Sequence, residues 1–520
     1  MITRRRFIVG CAAVGAGAAS GRHIVWASNC EKPIPGPTPK GSFVRIFPEA
    51  DISLDNAAGE KALQAVATAM TANSETPSAG SSSGLFPGYT YFGQFIDHDL
   101  TWNRVEYDAS AHEQINAPNF RSPFLDLDSV YGEGPPLDCQ FTGPPGKESF
   151  ILERTWPNPA LGLKGGQLKD IPFEGDNADR PVIGDRVDLR NAENLILRQL
   201  HVVFLKAHNE VIARLPDHIG EPDVPQEGTL FERARKLVTW TYQWLLWKDY
   251  LRRIRGTDAR DPKPIANPNA AYQLPLEFVL AGFRFGHSMV QPEYALNCHH
   301  SFPQINKPAR LGELVNSSQK TAKHLTEEHA VEWGCFFPEL PRSAGVPLIH
   351  ASAIDTHITP ALGNLPTGAL LMFSQPARGP ESQNLAYRNL LRGARARIAS
   401  GQQIAAVLRK QGKIIANITD NLKKDSVLRD AALTDNTPLW YYILKEAEIT
   451  KSGDCLGNLG TFIVEGAIEG ALQNDKNSYL CERGSKWKPP VWMLRPGHRN
   501  MSEFIAFSGA TELAEGCSSR

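Results

Sequence analysis

Tyr91 to Thr101 reads Tyr-Phe-Gly-Gln-Phe-Ile-Asp-His-Asp-Leu-Thr. Wound as a helix, this stretch sets Gln94, Asp97 and His98 at i, i+3 and i+4 on one face, with Asp99 one step round. An imidazole flanked by two carboxylates, in a run otherwise made of Phe92, Phe95, Ile96 and Leu100, is costly to bury without a ligand or a partner. The plainer alternative for the segment by itself is a helix start with solvated charges.

Three further groups of residues carry chemical types worth placing. Arg121 to Gly132 includes Asp126 and Asp128 in an Asp-x-Asp spacing, and alternate carboxylates in an extended loop supply the oxygens that hard cations such as calcium need. An EF-hand is ruled out, because Tyr131 stands where that loop needs glycine and Leu137 where it needs glutamate. Arg190 and Glu193 lie three apart at the start of a long apolar-periodic run; by itself the arginine could simply pair with Asp188. Arg284 precedes His287 by three in Phe278 to Met289. On a helix that spacing puts a cation on the histidine's face, as an axial histidine beside an anionic group would require, and Gly286 next to it allows close approach on one side.

Taken in order, these segments resemble the motifs of the animal-type haem peroxidases, the peroxidase–cyclooxygenase superfamily. Gly93-Gln94-x-x-Asp97-His98-Asp99 is similar to the distal haem motif, Arg190-x-x-Glu193-Asn194 to the catalytic-arginine segment, and Phe283-Arg284-x-Gly286-His287 to the proximal motif. Asn389-Leu390-x-Arg392 resembles the segment whose asparagine partners the axial histidine. The likeness runs from about residue 84 to 485, and after Gly393 it follows bacterial rather than mammalian members.

The resemblance implies a haem b group and a set of roles. His98 would act as acid and base, Arg190 would stabilise charge, and Gln94 would hold distal water beside the halide position. His287 would be the axial iron ligand, with Arg284 toward a propionate, Asn389 on the other ring nitrogen of His287, and Arg392 also at the cofactor. Asp97 and Glu193 stand where the mammalian enzymes esterify their haem, so ester links are expected. Asn194 replaces the methionine of the sulfonium link, so that bond is not. Asp99, Ser122, the Phe124 carbonyl, Asp126 and Asp128 would bind calcium, although mammalian members carry serine at the position of Asp128 and threonine at that of Ser122.

The elements that must position these residues read as mainly α-helical. Apolar spacing predicts helices over Glu60–Ala72, Leu195–Leu215, Phe231–Arg253 and Leu276–Val290, and the resemblance implies closing helices between Thr437 and Leu480. Gly132 to Arg180 reads as excursion loops, and Thr76 to Gly84 as a Ser/Gly/Pro linker. Trp240, Trp244 and Trp247 are expected to be core. His201 and His208 are expected to be structural, since no third zinc ligand is placed for them.

A length of 520 residues suggests roughly three domains by itself. No linker divides the chain so, and a single large helical haem-peroxidase domain with few short strands and long loops is expected over 84–490. A loop-rich extension (29–83) would precede it and a tail (491–520) would follow. Thr3-Arg4-Arg5-Arg6-Phe7-Ile8 and the small apolar residues after it look like a twin-arginine export signal within 1–28, too short for a membrane span and implying a periplasmic or secreted protein. A net charge of −1 gives no support for a nucleic-acid or membrane-surface partner. The eight cysteines form no CxxC or CxxCH pair; disulfides are permitted in an oxidising compartment, but the spacing does not choose among pairings.

The expected activity is therefore oxidation of a halide, thiocyanate or small organic donor by hydrogen peroxide. Two alternatives stand beside it: a fatty-acid dioxygenase of the same superfamily, and a non-catalytic adhesion or ligand-binding protein on the same frame. Cyclooxygenases carry a tyrosine three residues before the proximal histidine, where this chain has Arg284.

Overall fold

The computed structural model describes residues 38–72, 84–135, 141–155, 157–166, 169–171, 188–257, 261–299, 309–310, 325–365 and 380–518. The signal-type segment, Cys11, Cys30, Cys139, residues 184–187 and most of the Ser/Gly/Pro linker lie outside them. Within the described residues the architecture is mainly helical, and the strands are only two to four residues long.

Helix α1 spans Ala57–Thr71, its N-terminus closed by Asn56 Oδ1, which accepts from Gly59 N–H at 2.9 Å. Helix α2, Pro87–Leu100, starts with proline in its first turn, where the missing N–H costs nothing. Helix α3, Leu195–Arg214, is capped by Asn194, which accepts from Leu197 N–H at 2.8 Å. Helix α4, Leu230–Leu245, opens with a Thr229–Glu232 capping box and runs through one π-helical turn to Arg255. Further on lie α5 (Leu385–Arg395), α6 (Leu439–Lys451), α7 (Asn458–Asn474) and α8 (Met501–Phe507).

The interior is built around α2, whose residues are all buried except Gln94 and Asp97. It packs against α3, where Phe95 stacks on Phe204 with centroids 4.4 Å apart. Gly93 is required for the fit on another side, since a Cβ there would lie 2.5 Å from the Tyr250 hydroxyl. Each large apolar side chain buried this way contributes about 1.5–3 kcal/mol, which holds a helix bearing four polar functional residues inside the protein. Trp240, Trp244 and Trp247 are core, as their apolar setting suggests.

Segments outside the expected 84–490 unit share this core. The strand Gly41–Val44 pairs antiparallel with Pro118–Asn119 and parallel with Leu274–Pro275. Helix α1 packs on α5, and Arg395 reaches both Asp55 and Glu60. At the other end α8 packs on α3, and Cys517 forms a disulfide with Cys298.

One predicted element differs. Leu276–Val290 is not a continuous helix: an α-helical turn, Leu276–Leu280, stops at Ala281 (φ −139°, ψ −59°), and Gly282–His287 is 3₁₀. The break brings Gly282 against α7, where a Cβ would meet Ile463 Cγ2 at 2.7 Å. In a 3₁₀ helix residues i and i+3 are eclipsed, so Arg284 and His287 stay in line despite the changed geometry.

Candidate active site

Two imidazoles, each fixed by an asparagine side chain, stand on two walls, His98 buried and His287 half-buried. On one wall, His98 Nδ1 lies 3.0 Å from Asn191 Oδ1, and its Nε2 lies 3.8 Å from Glu193 Oε1. Burial, and then the nearby Arg190 charge, pull the His98 pKa down to about 4, so the ring is a neutral base at ordinary pH. Gln94 donates through Nε2 to Glu193 Oε1 and accepts from Asn194 Nδ2 at 3.3 Å. Glu193 Oε2 is buried with no partner among the described residues, and burial lifts the carboxyl to about 8. Asp97 is held by Thr101 Oγ1 at 3.1 Å, and its charge is felt by both His98 and His287.

Arg190 takes the simpler of its two expected placements, paired with Asp188. Its Nε donates to Asp188 Oδ1 at 2.9 Å, and Nη2 reaches Asp188 Oδ2 and the carbonyls of His98 and Thr101. Asp188 is fully buried and also accepts from Arg121 Nε at 3.0 Å. Burial alone would raise the Asp188 pKa, but Arg190 and Arg121 outweigh it and hold the carboxyl well below its usual range.

On the other wall, the amide of Asn389 meets His287 Nδ1 at 2.7 Å, with Nδ2 facing the ring. An arrangement in which the amide accepts the ring N–H differs by a half-turn of the amide, which exchanges its oxygen and nitrogen. Burial and Arg284 pull the His287 pKa to about 3. The expected close approach at Gly286 is absent: a Cβ built there meets nothing within 4 Å, so the glycine borders open space rather than a packed neighbour.

Beside His287 a group of arginines suits a dianionic partner. Arg392, Arg388 and Arg284 act on one another strongly enough that burial and its two neighbours lower the Arg392 pKa to about 9. Arg392 Nε is buried without a partner among the described residues, while Nη2 donates to the Val105 carbonyl at 2.5 Å and Arg284 Nε to that of Val279 at 3.0 Å. A cluster of guanidiniums with an orphaned buried N–H suits a pair of carboxylates.

Behind His98, Asp99, Asp126 and Asp128 each offer an oxygen within 4.8 Å of one another. Oxygens about 2.3–2.6 Å from a calcium ion reach such separations. Asp99 is fully buried; burial and then its two acidic neighbours push its pKa well up, and Asp126 rises to about 7. Asp128 Oδ2 accepts from Lys40 Nζ at 2.9 Å and Ser122 N–H at 3.1 Å, and Phe124 N–H donates to Ser122 Oγ at 3.2 Å.

Gln94, Asp97, Glu193 and Arg190 thus lie about His98, Arg284, Asn389 and Arg392 about His287, and Asp99, Asp126 and Asp128 form one acidic cluster that Ser122 joins through its N–H. Sequence reasoning missed Asn191, Arg388 and Lys40 as participants. Asn191 and Arg388 adjoin Arg190 and Asn389 in sequence, whereas nothing near Lys40 pointed to Asp128. His208 is structural as expected, lying 3.1 Å from Tyr131 Oη and 3.2 Å from the Glu148 carbonyl.

The fold is that of the haem-peroxidase class. Peroxidase A from Dictyostelium discoideum aligns with a TM-score of 0.59 at 16% identity, covering 92% of this chain and 94% of that one. The fatty acid alpha-dioxygenase of Oryza sativa aligns at 0.57 and 13% identity, over 92% and 80%. At such identities these likenesses speak for the fold alone. The family profile described as Animal haem peroxidase matches residues 103–334. Among curated relatives, a peroxidasin homolog of Caenorhabditis elegans is 26% identical over 212 residues, 37% of this chain and 15% of that protein. Thyroid peroxidase of Rattus norvegicus is 26% identical over 200 residues, 35% of this chain and 20% of its own length. The chain thus corresponds to only a small part of these longer proteins. The chain is thus similar to the animal-type haem peroxidases in fold and over these matched segments.

Proposed function

We propose that the chain is an exported haem peroxidase that uses hydrogen peroxide to oxidise a halide, thiocyanate or small organic donor. The observation that carries this reading is the neutral His98, turned by Asn191 so that its Nε2 faces the Gln94–Glu193 side. A bound haem would supply the iron that accepts peroxide and stores its oxidising equivalents. His287 would hold that iron, Asn389 would orient the ring, and the Arg284–Arg388–Arg392 cluster would take the propionates. His98 Nε2 takes the proton of the incoming peroxide and returns it to the departing oxygen. Arg190, locked by Asp188, places a fixed positive charge beside that transfer.

Asp97 and Glu193 would form ester links to the group, and Asn194, occupied as the cap of α3, offers no sulfur for a third. Calcium at Asp99, Asp126, Asp128, Ser122 and the Phe124 carbonyl would stiffen the wall behind His98. The Cys298–Cys517 disulfide supports an oxidising destination. Among the described residues no helix is long and apolar enough to cross a membrane.

The test is steady-state peroxide turnover with bromide, iodide, thiocyanate and a phenol, run beside oxygen uptake with an unsaturated fatty acid. His98→Ala and His287→Ala should abolish turnover, and the second should also change the absorption spectrum. Oxygen uptake without donor oxidation would favour the dioxygenase reading, against which Arg284 stands three residues before His287. Haem released freely into acidified solvent after peroxide treatment would remove the ester links from the proposal.

A further inference from the structure

We infer that Asn191 is the positioning residue that sets the tautomer of His98, and that the Ser129 carbonyl in turn sets the orientation of Asn191. Asn191 and Asp99 are fully buried, and His98 is 4% exposed. The Asn191 amide touches two fixed partners: its Oδ1 faces His98 Nδ1 at 3.0 Å, and its Nδ2 donates to the Ser129 carbonyl at 3.4 Å.

A backbone carbonyl can only accept, so the amide nitrogen must face Ser129 and the amide oxygen must face the ring. That oxygen too can only accept, so the ring hydrogen resides on Nδ1. Nε2 is left with its lone pair, and Nε2 is the atom on the Glu193 side, 3.8 Å from Oε1. No other hydrogen-bond partner of the ring is present among the described residues. A ring without Asn191 would be free to carry its hydrogen on Nε2, where it cannot take a proton from an incoming ligand.

The second half of the inference concerns what holds the amide. Ser129 also donates through Oγ to Asp99 Oδ1 at 3.2 Å, and its carbonyl receives the Asp188 N–H at 3.4 Å. The same serine therefore touches the acidic cluster, the buried Asp188 and the amide that orients His98. Asn191 is held in register by its own N–H, which donates to the Asp188 carbonyl at 2.9 Å in the 3₁₀ turn Leu189–Ala192.

The inference rests on the peroxidase reading only for the use made of Nε2, and the test separates the two. ¹⁵N-histidine-labelled full-length protein, with His98 assigned by comparison with His98→Gln, reports the tautomer directly. The wild-type chain should show a protonated Nδ1 and a bare Nε2. Asn191→Leu should lose that pattern, and Asn191→Asp, which keeps an accepting oxygen, should retain it. On haem-loaded protein, the association rate of hydrogen cyanide, which must surrender its proton to bind, should fall about ten-fold or more in Asn191→Leu. It should be largely recovered in Asn191→Asp.

A wild-type His98 protonated on Nε2 overturns the inference even if no variant folds. So does an Asn191→Leu protein with the wild-type tautomer and an unchanged cyanide rate. Correct tautomers with no peroxide turnover in the wild type would instead sink the peroxidase reading and leave the role of Asn191 standing.

Discussion

Arg190 grips Asp188 through two of its nitrogens, and Asp188 simultaneously accepts from Arg121, so one buried carboxylate holds two guanidiniums. Arg121 continues the series to Asp128 at 3.6 Å, and Asp128 to Lys40 at 2.9 Å. Charges of alternating sign thus run from the distal wall to the acidic cluster. Replacing Asp188 with Asn takes from Arg190 the negative charge it shares with Arg121 and leaves Arg121 only Asp128 at 3.6 Å, and breaking such a buried pair by removing one member costs about 3–5 kcal/mol. Urea denaturation of Asp188→Asn should show that loss, and a change below about 1 kcal/mol would show that the two arginines find other partners.

The same carboxylate fixes the sign of an acid effect. The Asp188 pKa in the folded chain lies below its unfolded value of about 3.9. Its contribution is therefore complete above that unfolded value and is lost as pH falls toward the folded one. Thermal melts from pH 6 downward should decline less steeply in Asp188→Asn than in the wild type. Parallel acid limbs in the two proteins would contradict this.

Glu193 works in the opposite direction. Its folded pKa is raised to about 8 by burial, from an unfolded value of about 4.3. Folding then favours the protonated acid, so the stability contribution is full below the unfolded value and is lost as pH rises through about 8. In haem-free protein, melting temperature should fall between pH 5 and 9, and Glu193→Gln should flatten that slope. An unchanged slope in the variant would place the titrating group elsewhere.

Much of this arrangement was legible because the chemistry sits on regular elements. Gln94, Asp97 and His98 share a helix face whose period fixes their neighbourhood, and Gln94 and Asp97 are the points at which α2 is least enclosed. The spacing of Arg284 and His287 also carried through, since i and i+3 lie together in α and 3₁₀ geometry alike, although the break at Ala281 was invisible to periodicity. The break sets Gly282 against Ile463, a tertiary contact that local pattern does not encode. Asn191 was missed for a related reason: its side chain meets His98 only because a 3₁₀ turn, capped by Asp188, presents it there. Lys40 lies 88 residues from Asp128, and no local rule joins them.

Calcium gives a prediction with two independent readouts. Without a cation, Asp99 is pushed toward its protonated form by burial, Asp126 and Asp128, and Asp126 by burial and Asp128. Binding must therefore expel protons. Calorimetric titration near pH 6 in buffers of different ionisation enthalpy should show proton release that diminishes as pH rises. At a free calcium concentration of about 100 times Kd, the fold should gain about 2.7 kcal/mol, reversed by chelator. Asp126→Asn should weaken both effects. A melting temperature indifferent to calcium and chelator would remove the ion from the site.

The guanidinium cluster supplies the last prediction. Arg392 has a buried Nε with no partner among the described residues, and its neighbours Arg284 and Arg388 add like charge. In the chain without an anion this crowding is unfavourable, so Arg392→Met should leave the haem-free protein as stable as the wild type or more so, because an uncompensated cation is replaced by an apolar side chain of similar length. In the loaded protein the order should reverse, since the variant loses a charge-assisted bond worth about 1.5–3 kcal/mol. Haem titration followed at the Soret band should then show affinity reduced by about ten- to hundred-fold, while melts of the haem-free proteins coincide or favour the variant. If Arg392→Met instead destabilises the haem-free chain and binds haem normally, the arginine serves the fold through its Val105 contact and the propionate assignment fails.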